Sequence, residues 1–285
     1  MASNLTKRIA FAVVAIPVAL GVVYWGGWAL VFVAAAAAVL GARELLGFAV
    51  RQGVEPLMRT GLLSAAALPV LVFLALTSVP SLVGSGWILA GLWLVALLTI
   101  VLARRSPAEH PLAATALTAF AVLYPAGLAS FLLSIRHLRF GEQSWAGAWL
   151  VFFPLVVTWV CDTAAMFAGK AIGGKKLWPA ISPGKTWSGS VAGVAFAMIT
   201  VPVLNLAVLD RLGIALPIGQ GLLFGLVLGI IGQVGDLAES LYKREVGLKD
   251  SSNLIPGHGG VLDRFDSLYF VLPVSAALYR LFGVQ

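Results

Sequence analysis

Nine predominantly apolar runs, at 9–25, 28–48, 60–79, 86–103, 112–134, 148–168, 187–209, 215–235 and 266–283, follow one another with only short interruptions. Each comes close to the roughly 20 residues that a helix needs to cross a hydrocarbon core. Lipid offers no partner to backbone N–H and C=O groups, so such runs must satisfy them internally as helices. The sequence therefore predicts an all-α, polytopic integral membrane helix bundle of about nine transmembrane helices. Composition agrees, with 60% apolar and 11% charged residues, against soluble averages of about 45–50% and about 25%. Lys7 and Arg8 precede the first run as they would in a secretion signal. A second run follows almost at once with no clear small-residue cleavage site, so the first is read as a retained span.

Orientation follows from the basic residues, which accumulate in short cytoplasmic loops. With the N-terminus in the cytoplasm, that side receives Lys7, Arg8, Arg43, Arg51, Arg59, Arg104, Arg105, Lys170, Lys175, Lys176, Lys185, Lys243, Arg244, Lys249 and Arg264. Arg136, Arg139, Arg211 and Arg280 fall opposite, so the 19 basic residues divide 15 to 4. The net charge of +7 thus reflects topology. Nucleic acid is excluded as a partner, because the cations are scattered over several loops rather than gathered in one stripe. Two regions are expected: 1–145, with about five spans, and 146–285, with about four spans and the longer cytoplasmic loops. The single cysteine, Cys161, allows no intrachain disulfide and reads as a packing residue.

Five of the six aspartates, Asp162, Asp236, Asp250, Asp263 and Asp266, lie between the sixth span and the start of the ninth. Ionised groups beside lipid are costly unless paired, solvated or metal-bound, so this crowding marks a functional region. Asp236, Glu239, Ser240 and Lys243 share a face if the eighth helix continues past the bilayer, and Asp263 and Asp266 are three apart at the start of the ninth. Plain ion pairing with Lys243, Arg244, Lys249 and Arg264 at a wet interface is the bland alternative. Between these helices lies Pro256-Gly257-His258-Gly259-Gly260, whose glycines let backbone N–H groups approach a phosphate. His258 is placed to orient a phosphate or shuttle a proton, or else is fixed by loop hydrogen bonds.

A second polar cluster follows the sixth span, with Gly173-Gly174-Lys175-Lys176 and Ser182-Pro183-Gly184-Lys185-Thr186. Gly184-Lys185-Thr186 matches the tail of a Walker A loop, but Pro179 stands where its first glycine belongs, and that reading is rejected. What remains is a basic, glycine-bearing loop able to hold phosphate at a helix start. Asn253 is a candidate for reading a base, against the turn geometry that asparagine commonly serves.

At these residues the chain closely resembles the phosphatidate cytidylyltransferase (CDP-diacylglycerol synthase) family. The family signature stands here as Ser240, Lys243-Arg244, Lys249-Asp250, His258-Gly259-Gly260 and Asp263-Arg264-Phe265-Asp266. Gly235-Asp236 to Ser240 and the Asp162 to Thr186 region extend the likeness over about 160–267, while the N-terminal half resembles the family mainly in hydropathy. Tyr242 departs from the usual aliphatic residue or Phe. Ser188 departs from a longer acidic or amide side chain, which puts in doubt any family role carried by that position.

The resemblance implies the reaction of CTP with phosphatidate to give CDP-diacylglycerol and pyrophosphate, in a bacterial inner membrane, with the active site facing the cytoplasm. It implies Mg²⁺, with a second cation such as K⁺, held by Asp236 and Asp263. It implies phosphate contacts for Lys185, Lys243, Arg244 and Arg264, and roles in supporting the metal centre or orienting substrate for Asp162, Asp250 and Asp266; Ser182, Lys249, Gly257, His258, Gly259 and Gly260 are further substrate-binding candidates, and Asn253 or loop backbone stays the candidate for reading the base. A homodimer is also implied, to which the glycines at 189, 193, 221, 225 and 229 would contribute close helix approach, packing inside one subunit being the alternative. The competing readings are a CTP-dependent polyprenol kinase, a cytidylyltransferase for another lipid phosphate, and a secondary transporter coupling ions through Asp162 and Asp236.

Overall fold

Helix after helix is bounded where proline, glycine or charge interrupts an apolar run. In the computed structural model the described residues are 4–255, 257 and 259–284, with side chains described from Val13 onward. We number the helices α1 (Asn4–Trp25), α2 (Gly27–Arg51), α3 (Met58–Thr77), α4 (Gly86–Arg104), α5 (Pro111–Arg136), α6 (Trp145–Ile172), α7 (Trp187–Leu209), α8 (Ile218–Glu245) and α9 (Leu262–Leu281). Seven of them, α2 to α8, are long and apolar enough to cross a membrane, and the protein is an integral membrane protein. In α1 the apolar helix with described side chains is the shorter Val13–Trp25. α9 starts with Asp263, Arg264 and Asp266 and ends at Arg280, so every window of membrane length in it carries at least three charges.

The chain divides into two compact units, one made of Met1–His137 with Asp250–Asp263, the other of Leu138–Lys249 with Arg264–Gln285. In the first unit α2 packs against α3 and α5. The contact is made by small residues, Ala38, Ala42, Ala65 and Ala126, backed by Val39, Leu62 and Leu68. Helices in lipid gain nothing from excluding water, so close approach through alanine is what holds them. Pro125 lacks the N–H that an α-turn would use, and α5 widens there into a π-turn over Leu123–Gly127. Arg136 is fully buried at the end of α5, donating from Nε to Val23 O and from Nη2 to Tyr24 O, both at 2.6 Å. It thereby satisfies carbonyls that the C-terminus of α1 leaves open, and its charge suits the negative end of that helix. The neighbouring His137 accepts from Gly27 N at 3.1 Å through Nε2. Burial, aided by the Arg136 charge, lowers its pKa to about 4 and keeps the ring a neutral acceptor.

The second unit is organised around glycine. α7 lies between α6 and α8. A Cβ added at Gly193 would stand 2.8 Å from Cys161 O, and one at Gly225 would stand 2.6 Å from both Ala197 O and Met198 Cα. Gly221 and Gly229 meet Val201 and Val194 of α7 in the same way. The glycines expected to offer a surface to a neighbour are therefore engaged within one chain. Cys161 is buried at this crossing, its Sγ 3.6 Å from Gly229 O, as a packing residue should be. Gln233 of α8 ties the layers together, accepting from Ser190 Oγ and donating to Ser190 O and Gly229 O. Tyr279 of α9 donates to Leu150 O at 2.8 Å and packs beside Phe224, itself stacked on Phe153.

Between α6 and α7 the expected loop is instead a two-stranded antiparallel hairpin, β1 (Lys176–Trp178) and β2 (Ser182–Thr186). Pro179, Pro183 and Gly184 disfavour helix here, and Lys176 and Trp178 pair with Thr186 and Ser182. Thr186 also caps α7 by accepting from Gly189 N, while Ser188, where the family departs, donates to Gly173 O at the end of α6.

Candidate active site

In the second unit the extension of α8 to Glu245 places Asp236 and Ser240 one turn apart, as their spacing predicts. Ser240 Oγ donates to Asp236 Oδ1 at 3.3 Å, and Lys185, carried by β2, pairs with Asp236 Oδ2 at 2.7 Å. The two charged side chains are 26% and 30% exposed, wet enough to exchange partners. Asp162 stands exposed on α6 within electrostatic range of Lys185 and Asp236. Asp266 of α9 feels Asp236, Asp162 and Lys243. The approach of α9 to α8 depends on Gly235, where a Cβ would lie 2.8 Å from Asp266 O. Two further carboxylates, Asp162 and Asp266, and Lys185 thus gather around Asp236, a local excess of negative charge suited to a cation.

Two of the predicted phosphate contacts have other partners. Lys243 forms an ion pair with Glu239, one turn back on α8, and both are buried. Arg244 donates from Nε to Ile181 O and from Nη1 to Leu248 O, fastening the hairpin turn and the end of α8. Ser182 is half-buried on β2, and Lys249 and Arg264 are exposed.

The glycine segment belongs to the first unit, where a carboxylate organises it. Asp263 Oδ2 accepts from Ser251 N, Ser251 Oγ and Gly260 N, each at 2.8 Å. Gly259 has φ 81°, which side chains rarely adopt, and a Cβ there would meet Asp263 Oδ2 at 2.6 Å. The next two amides, Val261 N and Leu262 N, donate to Glu44 of α2. The N–H groups that the motif offers to a phosphate are, at 260–262, directed at carboxylates of the protein itself. Asp250 and Asn253 are exposed and Gly257 is half-buried. His258 lies outside the described residues.

Glu44 is the participant that sequence reasoning missed. Its signal is a lone carboxylate inside an apolar run, next to an arginine that topology already explains.

Whether Mg²⁺ fits can be judged from the donors. The ion prefers one or two carboxylates, several waters and substrate phosphates to an all-protein cage. Asp236, half-exposed and set among further carboxylates, is such a donor. Among the described residues no group of three or more His, Cys, Asp or Glu forms a ready-made cage. The residues fit the ion.

Comparison with known proteins bears on the family. Proteins named phosphatidate cytidylyltransferase match part of the chain at 43–46% identity. That of Bacillus subtilis is 43% identical over 137 residues, 48% of this chain and 49% of that protein. That of Brucella melitensis is 46% identical over 162 residues, 56% of this chain and 55% of that protein. The one from Staphylococcus haemolyticus is 45% identical over 128 residues, 45% and 48% of the two chains. The chain thus spans about half the length of the curated relatives it matches. The sequence profile of the cytidylyltransferase family, by contrast, matches residues 6–282, both units included. With the carboxylates, Lys185 and the glycine segment all inside that match, the chain belongs to the cytidylyltransferase family.

Proposed function

We propose that the protein is a CTP:phosphatidate cytidylyltransferase of phospholipid biosynthesis. The observation that carries the reading is the Lys185–Asp236 pair amid Asp162 and Asp266, in a chain whose named relatives are phosphatidate cytidylyltransferases. In the proposed reaction a phosphatidate oxygen attacks the α-phosphorus of CTP, the α–β bridging P–O bond breaks, and pyrophosphate leaves. Both reactants are anions, so neutralisation and alignment dominate catalysis. Asp236 and Asp263 are the proposed carboxylate ligands, each oriented by its own neighbours, Lys185 and Ser240 for the first, Ser251 and Gly260 for the second. Mg²⁺, with a second cation such as K⁺, would supply charge stabilisation of the attacking and leaving oxygens. Lys185 can leave Asp236 for a phosphate oxygen, a partially exposed pair being worth little on its own. Lys243 and Arg244 act by keeping α8 and the hairpin in place.

The test is incubation of the purified protein in detergent with phosphatidate, Mg²⁺ and CTP labelled at the α-phosphate. Label in CDP-diacylglycerol with release of pyrophosphate is expected. Label in free CDP, the mark of γ-phosphoryl transfer to a lipid, would overturn the assignment.

The proposed topology has nine crossings, a cytoplasmic N-terminus, and the site facing the cytoplasm of a bacterial inner membrane. It is supported by the 15 to 4 division of basic residues and by Arg136, which brings together the ends of α1 and α5, both running outward in this arrangement. Homodimer formation stays part of the proposal. In a Cys161→Ala background, cysteine at Ser182 or at the exposed Asn253 should react with an impermeant thiol reagent only from the cytoplasmic side of sealed vesicles, and cysteine at Ser81 only from the other. Labelling of Ser182 and Asn253 from opposite faces would refute it.

A further inference from the structure

Glu44 sits seven residues before the end of α2, and one carboxylate there collects four donors. Oε1 accepts from Ser252 Oγ at 2.6 Å and Val261 N at 2.9 Å. Oε2 accepts from Ser251 Oγ at 2.8 Å and Leu262 N at 2.9 Å. The donors come from both ends of the 251–262 segment, so a single side chain closes it like a clasp. Val261 N and Leu262 N lie at the start of α9, where amides lack acceptors within the helix and negative charge is favoured.

The clasp reaches the residues of the motif. Ser251 Oγ lies 2.8 Å from both Glu44 Oε2 and Asp263 Oδ2, so one hydroxyl proton serves two carboxylates and the setting of Asp263 depends on Glu44. Gly260 has no room for a side chain because Ser251 Oγ and the Glu44 carboxylate fill the space, with Oε2 2.6 Å from where a Cβ would stand. We propose that Glu44 is a positioning residue of the cytidylyltransferase site, holding Ser251, Ser252, Val261 and Leu262 together and, through Ser251, the carboxylate of Asp263 in working geometry. Its effect on turnover rests on the proposed function; the clasp itself does not.

The test uses the full-length protein in detergent. Glu44→Gln replaces one oxygen by an NH₂ group, which opposes two of the four donors whichever way the amide turns. Hydrogen exchange at Val261 or Leu262, whichever amide the new NH₂ group faces, should accelerate at least about 10-fold as its bond opens. The kcat for CTP and phosphatidate should fall about 100-fold, the effect of misplacing a reacting group by about 1 Å. Thr118→Val is the control: it removes the buried bond from Leu57 N in the same unit and lowers stability. It should leave exchange at 261–262 and kcat near wild type. Wild-type exchange in Glu44→Gln overturns the clasp. Faster exchange with unaltered kcat, or the same kcat loss in Thr118→Val, overturns the positioning role. A wild-type protein without turnover sinks the proposed function instead, and exchange still decides the clasp.

Discussion

Asp236→Asn is expected to lower turnover at least about 100-fold at saturating Mg²⁺, since even outer partners of a metal site are worth about 10- to 100-fold. The asparagine keeps an oxygen for Ser240 Oγ and the volume of the side chain, so α8 is undisturbed. What it loses is charge. Lys185 then loses the carboxylate it pairs with directly, and the phosphates of two anionic substrates lose one of the groups proposed to hold their cation. Because the Lys185–Asp236 pair is 26% and 30% exposed, its removal should alter stability by no more than about 1 kcal/mol. Activity and thermal unfolding measured on one preparation check the claim. Near-normal turnover, or a loss that merely tracks unfolding, would contradict it.

Gly225→Leu is expected to have the largest structural effect. A Cβ at 225 would lie 2.6 Å from Ala197 O and Met198 Cα, which are backbone atoms of α7 and cannot rotate away. The helices must separate, and overpacking of this kind costs about 1–3 kcal/mol or more. Gly225, Gly229, Gly232 and Asp236 follow one another at spacings of four, three and four along α8, one face of the helix. Displacing its middle therefore displaces Asp236, and precise sites tolerate little displacement. We expect a clearly lower unfolding temperature in detergent and weakened turnover, with the proposed Mg²⁺ dependence unchanged. Wild-type stability in this variant would show that α7 and α8 do not meet as described.

Particular residues show why some of this was legible. The apolar runs of α2 to α8 read directly as spans, because lipid forces the backbone into helices whatever the tertiary arrangement. The pairs Asp236–Ser240 and Glu239–Lys243 were legible for a related reason: residues four apart on a helix are neighbours by geometry alone. The hairpin at 176–186 was not, since its lysines and glycines also suit a loop and strand pairing depends on partners across a turn. Arg244 was expected at a phosphate, and its fastening of Ile181 O to α8 involves a contact 63 residues away in sequence.

The sequence by itself determined the membrane, the helical class and the family, because each follows from local composition, helical spacing or a contiguous motif. Only the tertiary structure decided which groups meet. It placed Lys185 on Asp236, turned the glycines of α7 against α6 and those of α8 against α7, and delivered Glu44 to amides more than 200 residues further along the chain. The physical reason is that a carboxylate's partners are fixed by packing of helices through small residues, and no pattern of neighbours in sequence carries that information.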